Sequence, residues 1–352
     1  MKPLPDTILD TLIVGQGLAG SLLAWTLLGR GQRVMVLDDG HRSAASVVAA
    51  GLLNPITGQR LVKGPEVDQC LPVAQRCYRA LERQLARPLL HALPMWRLFQ
   101  NERERLAWEK RRGDPAYAPY LGEPLTAMDH PCSTLGGFVQ TQTGYLDTCA
   151  LLDGIRAGLQ QVGAYRQCAF EYAQLELQQG QIVYQDLQAR RLIFCEGWRA
   201  LANPWFTELP LAPARGCILT LHSEAPLPQV ILNQGRWLLP RGQGEYRLGA
   251  SYDREALEAE PGEAEIASLL GQLASWFAPV PDYRISAVQN GVRPNSRDRQ
   301  PLLGLHPDHP ALGVFNGFGS RGAMLIPWHA ERMAELLCEG RPLPTGLDWR
   351  RA

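Results

Sequence analysis

Along the chain the apolar positions change their period several times. Thr11 to Val14 (TLIV) is a short unbroken β-type run, GQGLAG follows at once, LAGSLLAWTLL from Leu18 continues with helical character, and Arg33 to Leu37 (RVMVL) is a second apolar run closing on Asp38. Strand, helix and strand in such quick succession predict a βαβ unit. Val67 to Leu85 carries apolar residues at helical spacing, and 211–295 breaks into short β-type runs separated by Pro and Gly, with one helix around Ala264 to Phe277. Near the C-terminus GVFNG reads as a strand and Ala323 to Leu337 as a helix. No uninterrupted apolar run approaches the roughly 20 residues of a membrane span. The pattern is that of a mixed α/β chain with a β-rich insertion, without internal repeat or low-complexity linker.

The first glycine turn carries the most chemistry. Strand, GxGxxG, helix, strand and acid follow one another, and Asp38 comes after Gly15 at close to the spacing of about 20 residues found in dinucleotide-binding units. Gly15 permits the tight turn, Gly17 lets the backbone approach a pyrophosphate, and Gly20, helped by the small Ala24, lets the helix pack on the sheet; Leu18 and Ala19 complete the turn. N–H groups at the helix start then face phosphate, and Asp38 accepts hydrogen bonds from a ribose hydroxyl. This motif serves NAD and FAD alike.

A second glycine turn, NGFGSRGAMLIP over 316–327, is not required by an NAD-binding half, which is complete in one stretch. A flavin site gives it a purpose. The amides and dipole of a helix start at Gly319, Ser320, Arg321 and Gly322 suit the pyrimidine side of an isoalloxazine, where negative charge collects on reduction. Further segments carry a resemblance: SVVAAGLLNP (Ser46 to Pro55), GYLDTCALLDGIRAGLQQVGA, RRLIFCEGW, RWLLPRGQGEYRLGASYDR and NGVRPNSRDRQPLLG. Together with GQGLAG they resemble the FAD-dependent D-amino acid oxidase and glycine oxidase superfamily. Within it, GASYDR, RPNSRDRQPLLG and GSRG are most similar to the oxidase domain of the MnmC enzymes, which modify the wobble uridine of tRNA. A methyltransferase domain like theirs is not expected here, because the fingerprint begins close to the N-terminus.

The resemblance implies a Rossmann-like FAD-binding domain built from 1-64, 141-205 and 296-352, interleaved with a β-sheet-rich substrate domain built from 65-140 and 206-295. It implies that Ser46, Ala49, Ala50, Gly51 and Leu52 pass beside the flavin, with Glu196 and Gly197 on the return strand. Arg293 matches the arginine that grips the substrate carboxylate, since a guanidinium offers a bidentate fork. Trp237 stands where such oxidases often have a tyrosine, and Tyr252 is a further pocket candidate. Arg297 and Asp298 are expected in structural contacts beside the flavin, and His329 in a structural role. Arg321 is placed to favour anionic reduced flavin. The implied activity is oxidation of the C–N bond of a small amino acid or secondary amine by hydride transfer; the alternatives are a carboxymethylamino group on tRNA, or flavin binding without amine turnover. The segment 293–304 lacks the cysteine that attaches flavin covalently in some members, so a noncovalent FAD is expected. The lysine that activates oxygen in others is absent after Lys110, so the electron acceptor is oxygen or another molecule.

Composition narrows the partners. The 352 residues carry 35 basic and 35 acidic side chains, a balance that predicts neither general nucleic-acid affinity nor attraction to an anionic membrane; it counts against nucleic acid as a partner, with the tRNA-linked amine kept as the alternative. The eight cysteines are scattered without CxxC, and the seven histidines are unclustered. No metal site is therefore expected, and the thiols read as free in a reducing compartment. A cytoplasmic location follows from these readings.

Overall fold

The structure, a computed structural model, describes residues 8–40, 44–125, 135–178, 180–225 and 227–351. Five parallel strands form the centre of the first sheet, in the spatial order Tyr165–Gln167, Val34–Asp38, Leu9–Val14, Leu187–Phe194 and Leu312–Asn316. The third, second and first strands of the set are followed by the fourth and fifth, the order of a Rossmann half. Leu12, Ile13, Val36, Ile193 and Val314 are fully buried, as strands covered on both faces must be, and this is why TLIV and RVMVL read as unbroken apolar runs. Two further additions are antiparallel: Leu302–Leu305 on Leu312–Asn316, and a hairpin of Leu175–Gln178 with Gln181–Tyr184 beside the start of Leu187–Phe194.

The first helix, Leu18–Gly29, packs against the C-terminal helix, Gly322–Glu339, which in turn packs on Val67–Leu85. The last of these buries Val67, Cys70, Leu71, Ala74, Tyr78 and Leu81, positions three or four apart that share one face. Tyr78 donates its hydroxyl hydrogen to the Ala323 carbonyl at 2.5 Å. A fourth helix, Thr148–Gln161, starts where the Asp147 carboxylate accepts from the Ala150 N–H at 3.0 Å, an N-cap that satisfies one of the free donors of the first turn.

The second sheet has eight strands drawn from two distant stretches, ordered Arg284–Arg293, Ala214–His222, Glu245–Gly249, Arg236–Gly242, Ile231–Gln234, Met95–Leu98, Gly137–Gln140 and Leu121–Leu125. The helix Glu263–Trp276 covers it through Leu269, Leu273 and Trp276. Two registers position the site: Ala214 opposite Arg293, and Trp237 opposite Gly249. Arg97 and Glu104, both buried, pair at 2.8 Å, and Arg97 also donates to the carbonyls of Ile56 and Gly58. This ties the second sheet to the loop leaving the first. Among the described residues no helix is long and apolar enough to cross a membrane. The described cysteines are free, and Cys132 lies outside the described residues.

Candidate FAD and amine site

The fingerprint turn owes its geometry to backbone contacts that exclude a side chain. Gly15 has φ +98°, and a Cβ there would lie 2.6 Å from the Cys195 carbonyl oxygen, on the neighbouring parallel strand. A Cβ on Gly20 would lie 1.9 Å from the Gly15 carbonyl oxygen; Gly20 thus closes the turn from behind and does not line the cavity. Ser46 Oγ accepts from the Leu18 N–H at 2.9 Å, which leaves the following first-turn amides for an anion. Asp38 Oδ2 accepts from the Gln16 N–H at 2.7 Å and Oδ1 from the Gly40 N–H at 2.8 Å. The carboxylate is therefore fixed at the strand end.

A cavity of about 710 Å³ opens at the carboxyl ends of the parallel strands, the crevice where open α/β sheets bind ligands. Gly15, Gly17, Leu18 and Ala19 line it with Asp38, and Ser46, Ala49, Ala50, Gly51 and Leu52 form another wall. Glu196 and Gly197 contribute from the end of Leu187–Phe194, and Gly319, Ser320 and Gly322 from the start of the C-terminal helix. Burial pushes the Glu196 carboxyl up, and hydrogen bonds from Tyr172 Oη at 2.6 Å and Asn203 Nδ2 at 2.9 Å act in the opposite sense. The cavity continues beneath the second sheet to Trp237, Ile218, Val292 and Arg293.

Arg293 is the cation at that end. Its Nη1 donates to the carbonyls of Arg215 at 3.4 Å and Ser251 at 3.3 Å, and its Nη2 donates to Ser251 at 3.3 Å. Three of the five N–H groups are so turned to the backbone, leaving Nε–H and one Nη2–H, the side-on edge suited to a carboxylate. Among the described residues no carboxylate lies within ion-pair distance of it, and burial pushes the guanidinium below the ordinary arginine range. Gly216 makes the position possible: a Cβ there would sit 2.2 Å from Arg293 Nη2.

Several expected residues stand elsewhere. Tyr252 is 57% exposed, with its ring centroid 5.9 Å from the Arg293 guanidinium carbon; it flanks Arg293 without lining the cavity, because it lies beyond the end of the strand Glu245–Gly249. Arg321 turns its guanidinium to the Arg299 carbonyl, beside Gly64 and Glu66, and so points away from the cavity. Asp298 pairs with Arg351 at 3.0 Å, and the Arg297 N–H donates to the Pro210 carbonyl; neither lines the cavity. One important residue escaped the sequence reading. Arg247, on the second sheet, donates to the carbonyls of Ala49 at 2.9 Å and Val48 at 2.7 Å, and so holds the loop that walls the cavity. Its signal was slight: an arginine in an otherwise apolar strand segment, YRLGA.

The residues fit a flavin dinucleotide, since glycine backbones line one end of the cavity, the Asp38 carboxylate stands at the end of the second strand beside them, and a second helix start lines the same space. Comparison with known proteins agrees. The glycine oxidase of Pseudomonas aeruginosa is 24% identical over 354 residues, covering 94% of this chain and 95% of that protein. The tRNA 5-methylaminomethyl-2-thiouridine biosynthesis bifunctional protein MnmC of Aeromonas salmonicida is 27% identical over 385 residues, covering 96% of this chain but 57% of that protein. This chain spans about half the length of such bifunctional relatives. The crystal structure of glycine oxidase from Bacillus cereus shares the fold, with a TM-score of 0.81 at 19% identity over 95% of this chain and 96% of that one. The family described as FAD dependent oxidoreductase, DAO, matches residues 10–336, and the chain belongs to it.

Proposed function

We propose that the protein oxidises the C–N bond of a small, carboxylate-bearing amino acid or secondary amine, using FAD held without a covalent bond. The observation that carries this reading is the Arg293 side-on edge, free of any described carboxylate and lining the same cavity as the fingerprint. Bound FAD supplies the acceptor for the hydride lost from the carbon next to the amine. The amine nitrogen loses a proton to solvent, and the resulting imine is hydrolysed by water. Arg293 anchors the carboxylate, and the anchored group fixes which C–H bond faces inward. Trp237, Ile218 and Val292 give that end an apolar wall that limits water. Trp237 donates one indole N–H and accepts none, so its grip differs from that of a tyrosine.

The segments 1-64, 141-205 and 296-352 hold the cofactor, while 65-140 and 206-295 shape the substrate end, in a soluble cytoplasmic enzyme. A second reading has one supporting observation, the similarity to MnmC: a carboxymethylamino group on tRNA presents the same glycine-like end to Arg293. Anaerobic mixing with glycine, N-methylglycine, D-amino acids, carboxylate-free amines and tRNA bearing that group distinguishes the readings by which substrate bleaches the flavin spectrum. Bleaching by no amine at all overturns both. Turnover in air with peroxide release assigns oxygen as electron acceptor, and turnover only with an added dye assigns another.

A further inference from the structure

Away from the cavity, the Val67–Leu85 and C-terminal helices bring together three side chains whose sequence spacing shows nothing. Glu66 immediately precedes the first of these helices and Cys70 follows one turn later on the same face. His329 lies in the second turn of the other helix and is 0% exposed. A carboxylate oxygen, the Cys70 Sγ and an imidazole nitrogen all lie within 4.8 Å of one another.

The imidazole shows what the cluster is arranged for. His329 Nδ1 lies 2.7 Å from the Leu325 carbonyl. A carbonyl only accepts, so Nδ1 carries the hydrogen and Nε2 presents a lone pair to the cluster in the neutral ring. Buried Nε2 has no hydrogen-bond partner, although Glu66 Oε2 stands 3.3 Å from it. That separation exceeds the roughly 2.7–2.9 Å of a charge-assisted hydrogen bond. It matches an edge of about 3.3–3.7 Å in a coordination tetrahedron with bonds of roughly 2.0–2.3 Å. A metal-bound histidine commonly donates its other N–H to a carbonyl in this way.

We propose that Glu66, Cys70 and His329 bind one divalent transition-metal ion of the zinc class. A donor set of thiolate, imidazole and carboxylate selects zinc or cobalt over magnesium or calcium. The Glu66 side chain is 22% exposed, which gives the ion a way in and leaves its fourth position for water. Burial and the nearby Glu66 charge push the Cys70 thiol up to about 12, and Arg321 acts in the opposite direction. The thiol therefore keeps its proton until the ion arrives. Binding forms the metal–sulfur bond and releases that proton to solvent. Arg321 is the cation that opposes the site, and the carboxylate and thiolate together outweigh its single charge.

The test uses the full-length FAD-loaded protein, stripped with a chelator, incubated with zinc alone and dialysed. Mass spectrometry of the metal content is expected to find one equivalent retained by wild type and none by Cys70→Ala. Because His329 is buried, the second variant is Glu66→Gln, which removes a ligand at a partly exposed position and whose folding is checked by far-ultraviolet circular dichroism. It is expected to bind zinc at least about tenfold more weakly. Cobalt in place of zinc is expected to give tetrahedral ligand-field bands at longer wavelengths than oxidised flavin absorbs. Equal zinc retention by wild type and Glu66→Gln, or a six-coordinate cobalt spectrum, overturns the proposal.

Discussion

Arg293→Lys keeps a positive charge under the second sheet and changes only its shape. In the wild type, three N–H groups are directed at the carbonyls of Arg215 and Ser251, and the remaining two form the side-on edge toward the cavity. A lysine ammonium has three donors. If it satisfies the two carbonyls it has one left, so a substrate carboxylate loses one of two parallel charge-assisted bonds together with the planar alignment. Such a bond contributes about 1.5–3 kcal/mol; taking the retained charge into account, a loss of about 2–3 kcal/mol corresponds to about 30- to 150-fold weaker binding. The assay is anaerobic rapid mixing of each protein with a series of glycine or N-methylglycine concentrations, reading flavin bleaching to obtain the dissociation constant and limiting rate. Carboxylate-free amines of the same size serve as control, and their binding is expected to change by less than about threefold. Equal loss for both classes of amine, or no loss for either, would falsify the assignment of Arg293 as the carboxylate anchor.

Three further outcomes are expected. Gly216→Ala places a methyl group where Arg293 Nη2 now lies, 2.2 Å from the added carbon; the flexible guanidinium moves, the fold stays, and KM for carboxylate amines rises roughly 10- to 100-fold in steady-state assays. Asp38→Ala removes a charged acceptor worth about 1.5–3 kcal/mol, so FAD released on dilution, followed by fluorescence, is expected to increase at least about tenfold; unchanged retention assigns the ribose contact to another residue. The Glu196 carboxyl is raised by burial, so its folded form holds the proton more tightly than the unfolded chain does. Its contribution to stability is complete below the unfolded value and is lost as pH rises through the folded one. Glu196→Gln is accordingly expected to raise the Tm of the FAD-free protein relative to wild type more at pH 8 than at pH 5, and an equal shift at both refutes the burial argument.

The elements that were legible in the sequence are those whose burial leaves a local mark. TLIV and RVMVL are apolar throughout because both faces of their strands are covered, and the helix Val67–Leu85 shows its single buried face in its spacing. Gly15 and Gly20 of GQGLAG mark a backbone approach that no side chain tolerates. Side-chain direction is another matter. Arg321 and Tyr252 belong to segments beside the cavity, yet the helix start turns one toward Arg299 and the loop after Glu245–Gly249 carries the other into solvent. Arg247 looked like an ordinary strand arginine because its partners are the carbonyls of Val48 and Ala49, which carry no residue-specific signal. His329 meets Glu66 and Cys70 only through the packing of two helices distant in sequence, so spacing alone hides the cluster.

The hold of Arg247 on the carbonyls of Val48 and Ala49 joins the two ends of the cavity through one side chain. Arg247 is rooted in the sheet that also presents Trp237 and Arg293, while the loop it grips continues through Ala50, Gly51 and Leu52 along the cofactor wall. A ligand that orders the loop is therefore expected to order the sheet end as well, and a carboxylate that orders the sheet end to return the effect to the loop. Thermodynamic reciprocity then requires that substrate tighten the retention of FAD by the same factor by which FAD tightens the binding of substrate. Removing this one side chain is expected to weaken that coupling, leaving the direct contact of the two ligands inside the cavity to carry the rest.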